Sequence, residues 1–362
     1  MQNFCEAKSN VFFLKAQKTG STGIRNTLIR FGVSKNKTFV LPRDCIGFEH
    51  PKPFSISSIL NNREETYNMF VYHSRLNAKA VKTIMPEDTK FITILRNPID
   101  QFISAWYYFD YNEDELFKNL TLENIQNIDF QFLDHLMYQN ETFKDKANRM
   151  SFNLGFNSAV DRDNPIKIKQ FIETIDHLFD LVLITDRMEE SLILLKHLLC
   201  WKTEDVITLK VNKILFYISF NFNFIKKQVI GRKRKMEEKR TENISRDTIL
   251  KLNRVDNEIY QYFLSKFEAK VEMFGLQKMQ QEIQHLKHKT SQFEKFCEAY
   301  FPSVKHKHEN NQPMTKDEII CWTASTHSKN MVGWLENDYQ VFLHGPNAHL
   351  EAKDVRCEES IP

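Results

Sequence analysis

The sequence predicts an α/β fold built on a parallel sheet, and two observations lead to that prediction. Four short apolar runs, rich in β-branched and aromatic residues, have the length and composition of buried strands, at 10–16, 68–74, 90–97 and 179–186. Apolar residues at helical spacing follow the first and the last of these runs. The alternation of strand and helix indicates a doubly wound layer, in which ligands bind beyond the carboxyl ends of the strands.

The composition excludes several classes of protein. The 362 residues carry a net charge of only +3, from 50 basic and 47 acidic side chains, which argues against a broad nucleic-acid-binding surface. Six widely spaced cysteines include no CxxC pair, so neither a zinc ribbon nor a dithiol redox centre is predicted, and buried thiols or long-range disulfides both stay open. No stretch of about 20 apolar residues is present, so no transmembrane helix is predicted, and composition alone fits a soluble, cytosol-compatible protein.

Helices are predicted from apolar residues at helical spacing and from residue types that are typical of helix ends. Ile24, Leu28 and Phe31 share one helical face after the first strand, and Gly32 is expected to end that helix. Residues 188–201 form a second helix with acidic residues in its first turn. Residues 247–300 are strongly helical and are expected to close over the sheet as an amphipathic helix.

The turn after the first strand has the residues of an anion site. In "FLKAQKTGSTGIRNTL", residues 13–28, Gly20 permits close approach of a ligand, Ser21 and Thr22 supply hydroxyl donors, and Lys18 supplies a positive charge. The start of the following helix adds unpaired N–H groups and a partial positive charge, which suit a phosphate or a sulfate. The triphosphate loop G-x-x-x-x-G-K-[ST] does not match. Ordinary helix capping by these same side chains is the alternative.

A second anion site is predicted at the end of the third strand. In "FITILRNPIDQFISAWYYF" the strand ends at Arg96, Pro98 breaks the run, and Ser104 lies eight residues after Arg96. If a helix begins near Pro98, its early turns bring Ser104 round toward Arg96, whose guanidinium binds phosphate in a bidentate manner. Two such sites in one sheet suggest a nucleotide that carries phosphates at both ends of its ribose.

Three motifs in this order resemble the galactose-3-O-sulfotransferase family over roughly residues 10–300. They are the two stretches just described, the first of them extended as "NVFFLKAQKTGSTGIRNTLIRFG", together with "FDLVLITDRMEESLILLKHLLCW". The resemblance implies a sulfotransferase fold, a P-loop-like three-layer α/β/α arrangement related to nucleotide kinases. It implies 3′-phosphoadenosine 5′-phosphosulfate (PAPS) as donor, without a metal. The implied acceptor is the 3-hydroxyl of a terminal galactose on a galactosylceramide-like glycolipid or a glycan.

The resemblance also implies roles for particular residues. The implied 3′-phosphate pair is Arg96 and Ser104, and Lys18 would compensate charge that builds on the bridging oxygen of the sulfuryl group. The residues implied to hold the 5′-phosphosulfate are Lys15, Lys18, Thr19, Gly20, Ser21 and Thr22.

Transfer needs a base for the acceptor hydroxyl, and two positions are candidates. The family usually has a histidine directly before the loop lysine, where this chain has Gln17, which orients a hydroxyl but cannot take its proton. His73, at the end of the second predicted strand, matches a family histidine and is the expected base. A histidine at a strand end is also commonly structural.

The chain departs from the family in other places. Family members are Golgi type II membrane proteins with a lumenal domain, whereas this chain starts almost at its first strand. Membrane association is therefore expected only through an anchor missing from this sequence or through a lipid acceptor. Residues 214–231 are a candidate insertion into a domain of 1–302, and 303–362 are an appended segment of unknown order.

Three alternatives stay open at this point. One is a donor-binding protein that lost catalysis with Gln17, and another is a carbohydrate sulfotransferase acting on a different sugar hydroxyl. A nucleotide kinase is disfavoured because its triphosphate loop is missing.

Overall fold

The computed structural model describes most of the chain up to residue 325. The described residues are 5–43, 47–60, 66–109, 120–122, 124–139, 146–209, 245–309, 312–325 and 335. The candidate insertion at 214–231 lies outside them, as does nearly all of the sequence after 325.

The sheet has four parallel strands in the order β2-β1-β3-β4. These are β1 (Val11–Leu14), β2 (Met69–Phe70), β3 (Lys90–Leu95) and β4 (Leu181–Ile184). The strands are almost entirely buried, which explains why their sequences are continuous apolar runs rather than alternating ones. The predicted α/β fold with a parallel sheet is therefore confirmed.

The second strand is shorter than predicted. Only Met69 and Phe70 pair with β1, although the apolar run continues to His73. Beyond Phe70 the chain makes isolated bridges, from His73 to Gly47 and from Arg75 to Pro53. On the outer side of β2, Met69 also pairs with Phe39 through an isolated bridge, and not through a further strand of the described sheet.

Twelve α-helices surround the sheet among the described residues. They are α1 (Ser21–Ser34), α2 (Ala78–Ile84), α3 (Pro98–Tyr108), α4 (Phe130–Gln139), α5 (Arg149–Asn153), α6 (Ser158–Asp161), α7 (Pro165–Leu178), α8 (Met188–Leu199), α9 (Arg246–Leu252), α10 (Arg254–Phe274), α11 (Leu276–Glu309) and α12 (Lys316–Ser325). The predicted helix after Pro98 is confirmed: Asn97 Oδ1 accepts from Ile99 N (3.0 Å), and proline occupies the first helical position.

The expectation that Gly32 ends α1 was wrong. The helix runs on to Ser34, and Gly32 lies within its last turns. A Cβ atom built on Gly32 would lie 2.6 Å from Phe39 Cζ, so glycine there allows the Phe39 ring to pack against the helix backbone. The residue serves close packing rather than helix termination.

The helix predicted at 188–201 forms as α8 and ends at Cys200, which adopts a left-handed conformation with φ 55°. The Trp201 ring then stacks on Phe31 of α1, with ring centroids 3.7 Å apart. The contact joins the end of α8 to the C-terminal half of α1.

The helical region predicted at 247–300 is divided into α9, α10 and α11. Asn253 separates the first two helices, and Gly275, at φ 93°, separates the last two. The apolar face of α10 is buried and contacts β4, as expected of a helix that closes over the sheet. The predicted domain boundary at 302 falls within α11, which continues to Glu309. The division into two parts stays a prediction.

The helices after α10 return to the start of the fold. A disulfide joins Cys297 of α11 to Cys321 of α12. Next to it, Asn26 Nδ2 of α1 donates to the Ala324 carbonyl at 3.4 Å. A second disulfide, Cys5–Cys200, ties the N-terminal segment to the end of α8. Of the two arrangements that the sequence left open, these four cysteines therefore form disulfides.

In the described part of the chain, no helix is both long and apolar enough to cross a membrane. The same residues contain no group of three or more His, Cys, Asp or Glu placed to hold a metal ion.

Candidate active site

The predicted site residues meet at one edge of the sheet. The 15–22 turn follows β1, His73 follows β2, and Arg96 follows β3. Thr185, which the sequence analysis did not single out, directly follows β4. Because all four strands are parallel, their carboxyl ends lie together, and short loops bring these side chains around the turn.

Five successive backbone carbonyls of the turn, from residue 15 to residue 19, accept hydrogen bonds from side chains. The donor–acceptor pairs are His73 Nδ1 to Lys15 O (2.8 Å), Thr19 Oγ1 and Ser21 Oγ to Ala16 O (3.0 and 2.8 Å), Gln101 Nε2 to Gln17 O (3.1 Å), Arg96 Nη1 to Lys18 O (3.1 Å) and Thr185 Oγ1 to Thr19 O (2.5 Å). A carbonyl oxygen carries partial negative charge and repels an anion. Because all five carbonyls accept hydrogen bonds from the protein, a ligand at the turn would contact its N–H groups and cations instead.

Two residues of the turn have positive φ angles. Lys18 lies at φ 60° and Gly20 at φ 70°. The left-handed conformation is uncommon for lysine and costs about 1 kcal/mol, which the bond from Arg96 to its carbonyl offsets. A Cβ on Gly20 would also lie 3.2 Å from Thr185 Cγ2, so both the φ angle and the space favour glycine.

The N-terminus of α1 keeps its positive character. Gly20 occupies the capping position, no side chain caps the helix, and its first turn contains no acidic residue. The first N–H groups of this 14-residue helix and their partial positive charge are therefore not neutralised by the helix itself. The arrangement suits an anionic group such as a phosphate or a sulfate.

The hydroxyl groups in the turn differ from expectation. Thr19 and Ser21 are buried, and both hydroxyls donate to Ala16 O instead of pointing to a ligand. Thr22 is half-buried at the start of α1. In this state Thr19 and Ser21 shape the turn, and an anion would meet backbone N–H groups first.

Arg96 reaches the turn, whereas Ser104 does not join it. Arg96 Nη1 donates to the Lys18 carbonyl, so one of its five N–H donors holds the turn. Ser104 is half-buried in α3, and no hydrogen bond connects it to Arg96 in the part of the chain that the structure describes. Their predicted pairing around a 3′-phosphate stays a prediction.

Lys15 and His73 form a close pair below the turn. Lys15 Nζ lies 2.6 Å from His73 Nε2. Because His73 Nδ1 faces a carbonyl oxygen, that nitrogen carries the hydrogen, and Nε2 accepts from the lysine ammonium. Burial and the charge of Lys15 hold the pKa of His73 well below its usual range. The imidazole is therefore neutral at pH 7, with its lone pair on Nε2.

Positive charge is concentrated around this pair. Burial first, then the nearby charges of Arg25 and Lys18, lower the pKa of Lys15 well below its ordinary value. Lys15 is only 3% exposed, so the repulsion is weakly screened. A bound anion would relieve this repulsion, which supports anion binding at the turn.

Gln17 is held by a residue that the sequence analysis missed. Arg149 Nη1 donates to Gln17 Oε1. Since a guanidinium only donates, the contacted atom is the amide oxygen, and the amide nitrogen of Gln17 is left as the donor at the other side. Gln17 is thus oriented to donate a hydrogen bond rather than to accept a proton.

Arg149 is positioned by the start of α5. It is 3% exposed, and the buried carboxylate of Asp256 accepts from the next two backbone N–H groups, Met150 N (2.9 Å) and Ser151 N (2.7 Å). No sequence motif marks Arg149, which lies 132 residues from Gln17. Thr185 could have been found from its place at a strand end, and Gln101 from its place in the first turn of α3.

The comparisons with known proteins agree with this geometry. A galactose-3-O-sulfotransferase family model matches residues 2–323. Human galactosylceramide sulfotransferase is 28% identical over 298 residues, which cover 81% of this chain and 65% of that protein. Mouse galactose-3-O-sulfotransferase 2 is 31% identical over 215 residues, covering 56% of this chain and 52% of that protein.

The chain thus spans less than two thirds of the length of these relatives. The family model, in contrast, covers the turn, all four strands and the helices up to α12. The chain belongs to the galactose-3-O-sulfotransferase family.

Proposed function

We propose that this protein transfers the sulfuryl group of PAPS to the 3-hydroxyl of a terminal galactose on a galactosylceramide-like glycolipid or a glycan. The observation that carries the proposal is the 15–22 turn, with five tied carbonyls and an uncapped helix N-terminus beside Lys18. The names of the relatives, galactosylceramide sulfotransferase and galactose-3-O-sulfotransferase, support galactose as the acceptor sugar.

The proposed donor-binding roles are supported by the geometry of the turn for the 5′ end of the donor and by the family resemblance for its 3′-phosphate. PAPS would supply an activated sulfuryl group on a nucleotide with a second phosphate at the 3′ position. The N–H groups at the start of α1 and the Lys18 ammonium would hold the 5′-phosphosulfate, and Arg96 with Ser104 would hold the 3′-phosphate. Lys18 would also compensate charge on the oxygen that leaves. Lys15, Thr19 and Ser21 act mainly by shaping and charging the turn.

His73 is the proposed base. Its Nε2 lone pair accepts from Lys15 in this state, and a bound anion would attract the Lys15 ammonium away from it. The freed Nε2 would then take the proton of the acceptor hydroxyl, while Nδ1 stays fixed on Lys15 O. Gln17, with its oxygen bound to Arg149, would donate from its amide nitrogen to a sulfuryl or acceptor oxygen.

Location in the Golgi lumen is part of the proposal. Cys5–Cys200 and Cys297–Cys321 fit an oxidising compartment, where disulfides persist. Attachment to the membrane, through an anchor or through a lipid acceptor, belongs to the same proposal.

The first prediction concerns transfer itself. Incubation of the purified protein with PAPS and a panel of galactosides, read by mass spectrometry, should give a sulfated galactose. Lys18→Ala should lower kcat/KM by about a hundredfold or more, because it removes a charge that stabilises the transition state. Lys167→Ala, at an exposed lysine of α7, is the control and should match the wild type. Full activity of Lys18→Ala would contradict the role given to the turn.

The second prediction concerns Gln17. Gln17→Met keeps the length of the side chain but removes its donor, so kcat should fall by roughly tenfold, while the affinity for 3′-phosphoadenosine 5′-phosphate stays unchanged. Isothermal titration and initial rates measure the two quantities. An unchanged kcat would remove Gln17 from the reaction.

Gln17→His distinguishes a weakened enzyme from the alternative of a donor-binding protein. Increased turnover at equal donor affinity would identify a weakened enzyme. Donor binding without turnover in both the wild type and Gln17→His would favour the non-catalytic donor-binding protein. Sulfation at another position would favour a carbohydrate sulfotransferase that acts on a different sugar hydroxyl.

The third prediction concerns pH. Because burial and Lys15 lower the pKa of His73, kcat/KM should stay constant down to pH values below 6.5, the ordinary pKa of histidine. Lys15→Met removes the adjacent charge and should move the acid limb of the profile to higher pH. Lys167→Met should leave it in place. An acid limb that Lys15→Met does not move would contradict the assignment of His73 as base.

A further inference from the structure

Two exposed aromatic rings lie beside the reacting groups at the end of α3. Tyr108 is 58% exposed and Phe109 is 38% exposed. The Tyr108 ring centroid lies 3.7 Å from Lys18 Nζ, and the Phe109 ring centroid lies 4.3 Å from Arg149 Cζ. The two rings are 5.0 Å apart and nearly perpendicular. The Phe109 ring therefore lies beside Arg149, which binds Gln17, and the Tyr108 ring lies beside Lys18, which follows Gln17 in the sequence.

The core does not account for these two rings. The buried face of α3 carries Phe102, Ala105 and Trp106, which belong to a separate apolar cluster. Tyr108 and Phe109 follow that face at the helix end and extend toward the turn. Large aromatic side chains exposed next to a cationic site indicate a binding surface rather than packing.

A terminal β-galactose has a face that matches such a surface. Its C4 hydroxyl is axial, so the C–H bonds of C3, C4 and C5 form one uninterrupted apolar patch on the opposite face. Polarised C–H bonds stack on the negative face of an aromatic ring. The 3-hydroxyl is attached to a carbon of this patch, so stacking would keep it close to the cations beside the ring.

We propose that Tyr108 and Phe109 form the platform on which the terminal galactose of the acceptor stacks. The proposal rests on the proposed function, because it names the acceptor-binding residues of that same site. The face of the Tyr108 ring that Lys18 does not cover carries the apolar face of the sugar, and Phe109 closes the side toward Arg149 and Gln17. The 3-hydroxyl then faces the turn, whereas a glucose unit, whose C4 hydroxyl is equatorial, presents a less continuous C–H face.

Saturation-transfer NMR with lactose tests the platform without requiring turnover. The experiment uses the full chain with saturating 3′-phosphoadenosine 5′-phosphate, and cellobiose serves as the glucose-terminated comparison. The variants are Tyr108→Leu, which removes the ring, and Tyr108→Phe, which keeps it. Phe132→Leu is the matched control, because Phe132 of α4 is also a 58% exposed aromatic residue.

The wild type should transfer saturation to H3, H4 and H5 of the terminal galactose, and more weakly to cellobiose. Tyr108→Leu should weaken lactose binding by roughly tenfold, as expected for the loss of one aromatic contact, while Tyr108→Phe and Phe132→Leu keep it. Nucleotide affinity should be equal in all four proteins, which also shows that each is folded.

Three results would overturn the proposal: no lactose signal in the wild type, an unchanged signal in Tyr108→Leu, or a loss of nucleotide affinity in Tyr108→Leu. The last result would show that the Tyr108 ring serves the nucleotide, through Lys18, which it contacts, or through the adenine. Ring-dependent lactose binding without any sulfation would support the platform and refute the proposed function, so the two failures can be distinguished.

Discussion

The candidate site depends on one constraint, which is that the backbone carbonyls from residue 15 to residue 19 all face the protein. An anion-binding turn must direct its N–H groups outward, and it can do so only if its carbonyls find partners elsewhere. Those partners come from Ser21 and Thr19 within the turn and from the ends of β2, β3, β4 and α3. The parallel sheet is what brings these separate segments to one place.

The charges of the site follow from the same arrangement. Lys15 is buried under the turn, and its neighbours Arg25 and Lys18 add to the cost of keeping it protonated. This concentration of positive charge at the carboxyl ends of the strands favours the binding of an anion.

Patterns among neighbouring residues predicted the fold and the candidate site residues that follow β1, β2 and β3. Continuous apolar runs identified the strands, and Pro98 indicated the start of α3, because both signals depend on neighbouring residues only. Gly32 was misjudged because its role depends on Phe39, which packs against it from outside the helix. Arg149 could not be predicted, since nothing near it in sequence indicates that α5 approaches the turn. Long-range contacts of this kind become visible only in the folded chain.

The role of the hydrogen-bonded carbonyls can be tested by isothermal titration of 3′-phosphoadenosine 5′-phosphate into the wild type and into Thr185→Val. Valine keeps the shape of the side chain but removes the hydroxyl, which lies 2.5 Å from Thr19 O and 3.0 Å from Leu95 O. The Thr19 carbonyl of the turn is then released while no ligand-facing group is removed. We expect tight binding by the wild type and a loss of affinity of about three- to tenfold in the variant, which is the size of one hydrogen bond. Equal affinities, or no binding by the wild type, would contradict it.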